Sequence, residues 1–321
     1  MRIAVYYDNR IVGRDDGPPL YYKKTLQDLG HNVDMMIPAG DLTLHGKYDL
    51  NLWVDWGEDC LKAAIPYQLI DCPHPNVYIT SDTHVGYDYR MNLAKKFDLV
   101  LVNQVDGLER FKADGVRNAH FHPHAFHPLA YNQGSFDHET GWKSCAVLKR
   151  FDVCFVGHAN SPERVEFLDA MFKEFPNFFY GQKLFDAAAT VFNESKIVLN
   201  QALNNDINMR VFEALACRRA LVTDRTPELE AMGLIDGEHY VGYDSTEELV
   251  KQVRELLADE PRREKIANAG HAWLLAAHTY AHRVEEMKKD IEALRIVKLG
   301  GERTLEGEHQ STQEVRVATP V

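Results

Sequence analysis

The chain is predicted to be an α/β protein of two open, Rossmann-like parallel-sheet domains facing each other across a cleft, and three observations carry that expectation. Short apolar runs of strand length alternate with segments of helical periodicity, the order that builds parallel sheets covered by helices. A length of 321 residues suits two ordinary cores better than one. The alternation is interrupted once, by Pro123, Pro128 and the polar, glycine-containing stretch 131–141, and then restarts at Asp152.

Taken in order, 2–7 is an apolar first strand, and a loop rich in Asp, Gly and Pro leads to a helix over 20–29 that stops at Gly30. Strands follow at 33–37 and 50–54, then a helix over 61–69 and a strand at 77–80. The run 97–102, a helix over 105–113 ending near Gly115, and a strand at 118–121 complete the first half. The second half repeats this grammar. A strand at 152–156 and a turn at Gly157 precede a helix over 162–172, with Pro162 and Glu163 in its first turn. Strands at 178–180, 197–199, 220–223 and 239–242 interleave with helices at 184–192, 211–217 and 247–257. Helices over 261–275 and 280–294 follow, the latter with Val284, Met287, Ile291 and Leu294 at three- and four-residue spacing. Beyond Gly300 the apolar pattern ends, and a mobile tail is expected over 300–321. The domains are expected at 1–145 and 146–280.

Composition narrows the function classes. Lys and Arg total 36 against 48 Asp and Glu, a formal net charge of -12. That balance argues against broad capture of duplex nucleic acid, while leaving room for a local basic cleft. With neither a charged leader and apolar core nor an apolar run of membrane length, a cytoplasmic location is expected. Cys60, Cys72, Cys145, Cys154 and Cys217 form no CxxC pair and read as reduced core thiols. His120, His122, His124 and His127 are dense, but His-x-Pro-His lacks the geometry of a helix-borne metal motif, so loop packing or a wall on the acceptor side is expected instead.

The most informative stretch runs from Asn208 to Cys217, where Glu213 stands alone in an apolar helix just ahead of the strand that ends at Thr223 and Asp224. A carboxylate there is solvated, paired with Arg210, or aimed at a ligand. With Arg219 to Asp224, Tyr240 to Asp244 and the run His278 to Arg283, this stretch resembles the CgeB-like, group 1-type glycosyltransferases over most of 150–285. The resemblance implies the two-domain shape known as GT-B, with a last helix over 281–299 crossing back to the first domain. It implies a nucleoside-diphosphate sugar as donor, of the UDP type as first expectation, a carbohydrate or other hydroxyl-bearing acceptor, retention of configuration and no required metal. Duplex nucleic acid is then an unlikely partner.

Site residues follow from both sources. The resemblance gives Glu213 the donor ribose. Gly157 permits close backbone approach to a phosphate, with His158, Arg164 and Arg210 beside it as contacts or as structural groups. Thr223 and Asp224 lie at a strand's carboxyl end, where such folds bind ligands, although Asp224 also suits a helix cap. Tyr243 lines the base pocket or packs. In the first half, His84 sits where the family places a histidine at the donor, and Asp82 orients it, binds the acceptor or makes an Asx turn. Asn205 occupies the place of the first glutamate in the family's E-x7-E pair, with Asp206 beside it. In the opening loop, Asp15 or Asp16 would take the acceptor proton if transfer inverts. Two other classes fit the same domains: a sugar-nucleotide epimerase or phosphorylase, and a non-catalytic sugar-nucleotide-binding protein.

Overall fold

The computed structural model describes residues 1–7, 17–36, 48–55, 75–127, 136–137, 141–142, 149–159, 161–183, 185–202 and 206–299. The expected helix over 61–69, the acids Asp15 and Asp16, Asn205, Cys60, Cys72, Cys145, most of 131–141 and the tail from Gly300 lie outside the described residues. The chain divides into two compact units, one holding Met1–Pro123 with the C-terminal helix from Tyr280, the other His124–Thr279.

In the first unit, β1 (Arg2–Tyr6), β2 (Asn32–Met36), β3 (Leu50–Asp55), β4 (Asn76–Thr80), β5 (Leu99–Val102) and β6 (Ala119–Phe121) form one sheet in the order β2-β1-β3-β4-β5-β6. Every pairing is parallel. Strands β3, β4 and β5 are buried along their whole length, which explains their near-continuous apolar runs. Helix α1 (Pro18–Asp28) starts on two prolines after Gly17. It ends where Gly30, at φ 82°, turns the chain left-handed so that its N–H reaches Gln27 O at 2.9 Å. Helix α2 (Tyr87–Ala94) was not expected, because its scattered apolar residues form no clear stripe, whereas α3 (Val105–Ala113) matches its expected span.

The second unit contains a short antiparallel pair, β7 (Phe136–Asp137) and β8 (Gly141–Trp142). Its main sheet comprises β9 (Phe151–Val156), β10 (Phe178–Gly181), β11 (Ser195–Leu199), β12 (Ala220–Asp224) and β13 (Val241–Tyr243) in the order β10-β9-β11-β12-β13, again all parallel. Around it lie α4 (Pro162–Glu174), α5 (Phe185–Asn193), α6 (Met209–Ala216), α7 (Pro227–Ala231), α8 (Thr246–Ala258) and α9 (Glu260–Ala277). Side chains of Ser161, Asn208, Ser245 and Asp259 cap α4, α6, α8 and α9 by accepting from the first-turn amides of Arg164, Arg210, Glu248 and Arg262. Each cap contributes about 1 kcal/mol and fixes where its helix begins.

Helix α10 (Tyr280–Leu299) belongs to the first unit. Tyr280 packs on the rings of Tyr21 and Tyr22, with centroids 5.3 and 5.0 Å apart, and Val284, Met287 and Ile291 are buried as their spacing requires. Both sheets share one plan: the second strand in sequence lies outside the first, and the third lies on the first strand's other side. Connections therefore leave in opposite directions between β1 and β3 and between β9 and β11, and such reversals leave a crevice at the carboxyl ends of the strands. Cys154 and Cys217 are buried free thiols, and burial pushes the Cys154 thiol up to about 12. Among the described residues no helix is long and apolar enough to cross a membrane.

Candidate functional site

The reversal between β9 and β11 brings together residues that are far apart in the chain. Gly157 and His158 leave β9, Asn200 and Gln201 leave β11, and Thr223 and Asp224 end β12. Arg164, near the start of α4, is buried. It donates from Nη1 to His158 O at 3.1 Å and from Nη2 to Gln201 O at 2.6 Å, tying the two loops together. Arg210, in the first turn of α6, is partly buried and donates from Nε to Val156 O and from Nη1 to Asn200 Oδ1 at 2.6 Å. Both guanidiniums lie over the ring of Phe155, with Cζ 5.4 Å from the centroid for Arg164 and 4.4 Å for Arg210.

Neither arginine makes an ion pair with a carboxylate among the described residues; both are held by neutral oxygens and by a π face. Two like charges are thus kept close in a partly dry site. Burial, and then the charge of Arg164, push Arg210 down to about 10, and burial likewise lowers Arg164. Three polar atoms on this edge, Arg164 Nε, Gln201 Oε1 and Thr226 Oγ1, are buried without a hydrogen-bond partner. The two guanidiniums, with Arg164 Nε left unpaired, offer donors to a ligand with acceptor oxygens, while Asp224 and Glu213 nearby offset part of their charge.

Other predicted residues are placed differently. Asp224 accepts from Ala202 N at 2.9 and 3.0 Å and from Thr223 Oγ1 at 3.0 Å, so its carboxylate braces the loop after β11. Burial raises its pKa against those bonds. Buried Glu228, which the sequence reading missed, accepts from Ile207 N at 2.8 Å and braces that loop's far side. Tyr243 belongs to the apolar core, and its hydroxyl donates to Asn200 O at 2.8 Å. Glu213 lies partly buried on α6, where its charge acts on Arg210 from one turn away. The side chain of His158 is exposed.

Gly157 is required by close approach rather than by its backbone angles. A Cβ there would collide with Arg210 Nη2, whose guanidinium is pinned by Val156 and Asn200. Gly157→Ala is therefore expected to displace the guanidinium and weaken the binding of an anion at this crevice about ten-fold or more with the fold intact, as calorimetry would measure. Unchanged affinity would show that the position of Arg210 does not matter.

At the carboxyl edge of the first unit, the exposed residues Asp82 and His84 sit on a turn with Asp82 at φ 50° and Gly86 at φ 60°. Beneath it is a network that the sequence reading missed. Asp55 and Arg90, 4% and 3% exposed, pair at 2.8 Å. Tyr78 and Thr80 donate to Asp55 at 2.6 and 3.3 Å, and Arg90 donates to Val85 O and Asp82 O within the turn. The one legible signal was an acid closing the apolar strand Leu50–Asp55. The histidine run separates: His122 Nε2 lies 2.8 Å from the Tyr22 hydroxyl, and His120 pairs with Asp290 at 3.2 Å. Among the described residues no group of three or more His, Cys, Asp or Glu could hold a metal ion.

Residues 149–289 match a family model described as glycosyl transferase-like. No curated protein sequence matches the chain. Solved structures of similar fold include an α-glucosyltransferase in complex with UDP and a 13-mer DNA containing a HMU base, at 11% identity and a TM-score of 0.61 over 91% of this chain and 99% of that one. Sucrose-phosphate synthase from Thermosynechococcus elongatus matches at 13% identity and 0.61, covering 92% and 99%. Anabaena Alr3699/HepE in complex with UDP and glucose matches at 13% and 0.61, covering 91% and 100%.

The expectation that duplex nucleic acid is an unlikely partner does not stand, because α-glucosyltransferases of this fold are solved with DNA, including a 13-mer with a central A:G mismatch. A charge of -12 is a sum over the whole surface, whereas recognition answers to the local field. Its two parallel α/β units, the match over 149–289 and these structural likenesses place the chain in the GT-B fold of the glycosyltransferases, broadly taken.

Proposed function

We propose that the protein transfers a sugar from a nucleoside-diphosphate donor, of the uridine type, to a hydroxyl-bearing acceptor. The observation that carries this reading is the pair Arg164 and Arg210, held over Phe155 at the β9/β11 reversal without a carboxylate partner among the described residues. When the bond between the anomeric carbon and the diphosphate breaks, its electron pair stays on the phosphate oxygen. Two preorganised guanidiniums stabilise that charge. They supply the positive charge that a divalent ion would otherwise bring, so transfer proceeds without a metal.

In this reading the second unit binds the donor and the first binds the acceptor. Gly157 and His158 border the diphosphate, and Glu213 accepts from the ribose hydroxyls. In the first unit His84 and Asp82 are the candidates for polar contact with a substrate, and Asn205 stands in the sequence where the family's first glutamate falls. Retention of configuration follows if the acceptor enters on the face the diphosphate leaves; Asp16 is the base if it enters opposite.

Calorimetry with UDP, ADP, GDP and CDP in chelator-treated buffer tests the reading. Micromolar binding of one diphosphate is expected, and no binding across the panel would sink it. Glu213→Ala is expected to weaken that diphosphate about ten- to a hundred-fold, since a hydrogen bond to a charged group contributes about 1.5–3 kcal/mol. The same variant should leave the 2′,3′-dideoxy analogue's affinity unchanged, and an equal loss for both would remove Glu213 from the ribose.

A further inference from the structure

We propose that Asn200 is a positioning residue that fixes the Arg210 guanidinium while leaving its charge available to a ligand. The inference rests on Arg210 contacting the donor diphosphate, as argued above. Asn200 follows β11, and it is only 1% exposed. Its backbone is fixed on both sides, N donating to Val222 O at 2.8 Å and O accepting from the Tyr243 hydroxyl at 2.8 Å. The side chain then makes two bonds of opposite sense: Oδ1 accepts from Arg210 Nη1 at 2.6 Å, and Nδ2 donates to Thr223 Oγ1 at 2.9 Å.

The polarity of this chain is set at both ends. Arg210 can only donate. At the other end Thr223 Oγ1 donates onward to Asp224 Oδ1 at 3.0 Å, so it has a lone pair to offer Asn200 and no proton. An amide, with one acceptor and one donor on the same carbon, is the side chain that completes the sequence Arg210 to Asn200 to Thr223 to Asp224. Bonds running in one direction strengthen each other. The guanidinium is thereby anchored toward a carboxylate two groups away rather than paired with it. Arg210 Nη2, which lies against Gly157, has no hydrogen bond among the described residues and remains free to donate.

Asn200→Asp separates positioning from packing. It keeps the shape and the acceptor for Nη1 but gives up the bond to Thr223 Oγ1, so the readout is the diphosphate's advantage over the nucleoside, which a residue that merely packed would leave unchanged. A carboxylate in direct contact with Nη1 would instead neutralise Arg210 and repel a diphosphate. The experiment is calorimetric titration of wild type, Asn200→Asp and Asn200→Ala with the diphosphate that the wild type selects from UDP, ADP, GDP and CDP, and with its parent nucleoside. Thermal melts are run beside it.

Asn200→Asp is expected to weaken the diphosphate by about ten-fold or more with the nucleoside unaffected, so that the diphosphate's advantage over the nucleoside shrinks. Asn200→Ala, which frees the guanidinium, should weaken the diphosphate with a lowered melting temperature, and it decides the matter should Asn200→Asp fail to fold. Wild-type diphosphate affinity in the folded variants would overturn the inference and leave the donor site standing. Absence of diphosphate binding by the wild type would overturn the donor reading and this inference with it.

Discussion

Arg210→Met is expected to lower kcat/KM for the donor by about a hundred- to a thousand-fold, the range seen when one preorganised donor to a developing anion is removed. Methionine keeps an unbranched chain that can still lie on Phe155, so the change isolates the charge and the hydrogen bonds from the packing. The cost in stability is the difference of two opposed effects. Val156 O and Asn200 Oδ1 each lose a donor, which costs about 1–3 kcal/mol per buried group left unpaired. Against that, the repulsion from Arg164 disappears. Steady-state kinetics beside thermal melts check both halves. A large fall in melting temperature with kcat/KM preserved would make Arg210 a structural residue. Combining it with Arg164→Met should cost less than the sum of the two if both guanidiniums serve one diphosphate.

In the first unit, Arg90→Met is expected to destabilise by about 3–5 kcal/mol, because it leaves the Asp55 carboxylate buried with only hydroxyl donors from Tyr78 and Thr80. The loss would appear as an earlier denaturant transition of that unit, since two units need not unfold as one. Asp55→Asn combined with Arg90→Met should recover a good part of it, because the buried charge is gone while an amide still accepts from Tyr78. A loss under about 1 kcal/mol for Arg90→Met would mean that the pair is not what holds the turn carrying His84.

Much of the local structure was legible in the sequence. Pro162 and Glu163 in a first turn and Gly30 after a periodic segment announce helix ends through geometry set within a few residues. Gly157, Arg164 and Arg210 stand out as candidates because strand-end loops and first helical turns are local positions, but the sequence suggested a phosphate against Gly157 where the structure puts the Arg210 guanidinium. Helix α2 was missed because its residues carry no clean stripe, and the buried network that reaches into it could not be anticipated from periodicity.

The sequence by itself determined two runs of alternating strands and helices, the parallel sheets they imply, and Gly157, Arg164 and Arg210 as candidates on one ligand edge. The tertiary structure decided which distant residues meet. Asn200 reaches Thr223 and Arg210, Asp55 reaches Arg90, and Tyr22 reaches His122, because strand order and helix packing bring these positions together. Those partners depend on topology, and a hydrogen bond between residues dozens of positions apart leaves no mark on the periodicity or capping of either segment.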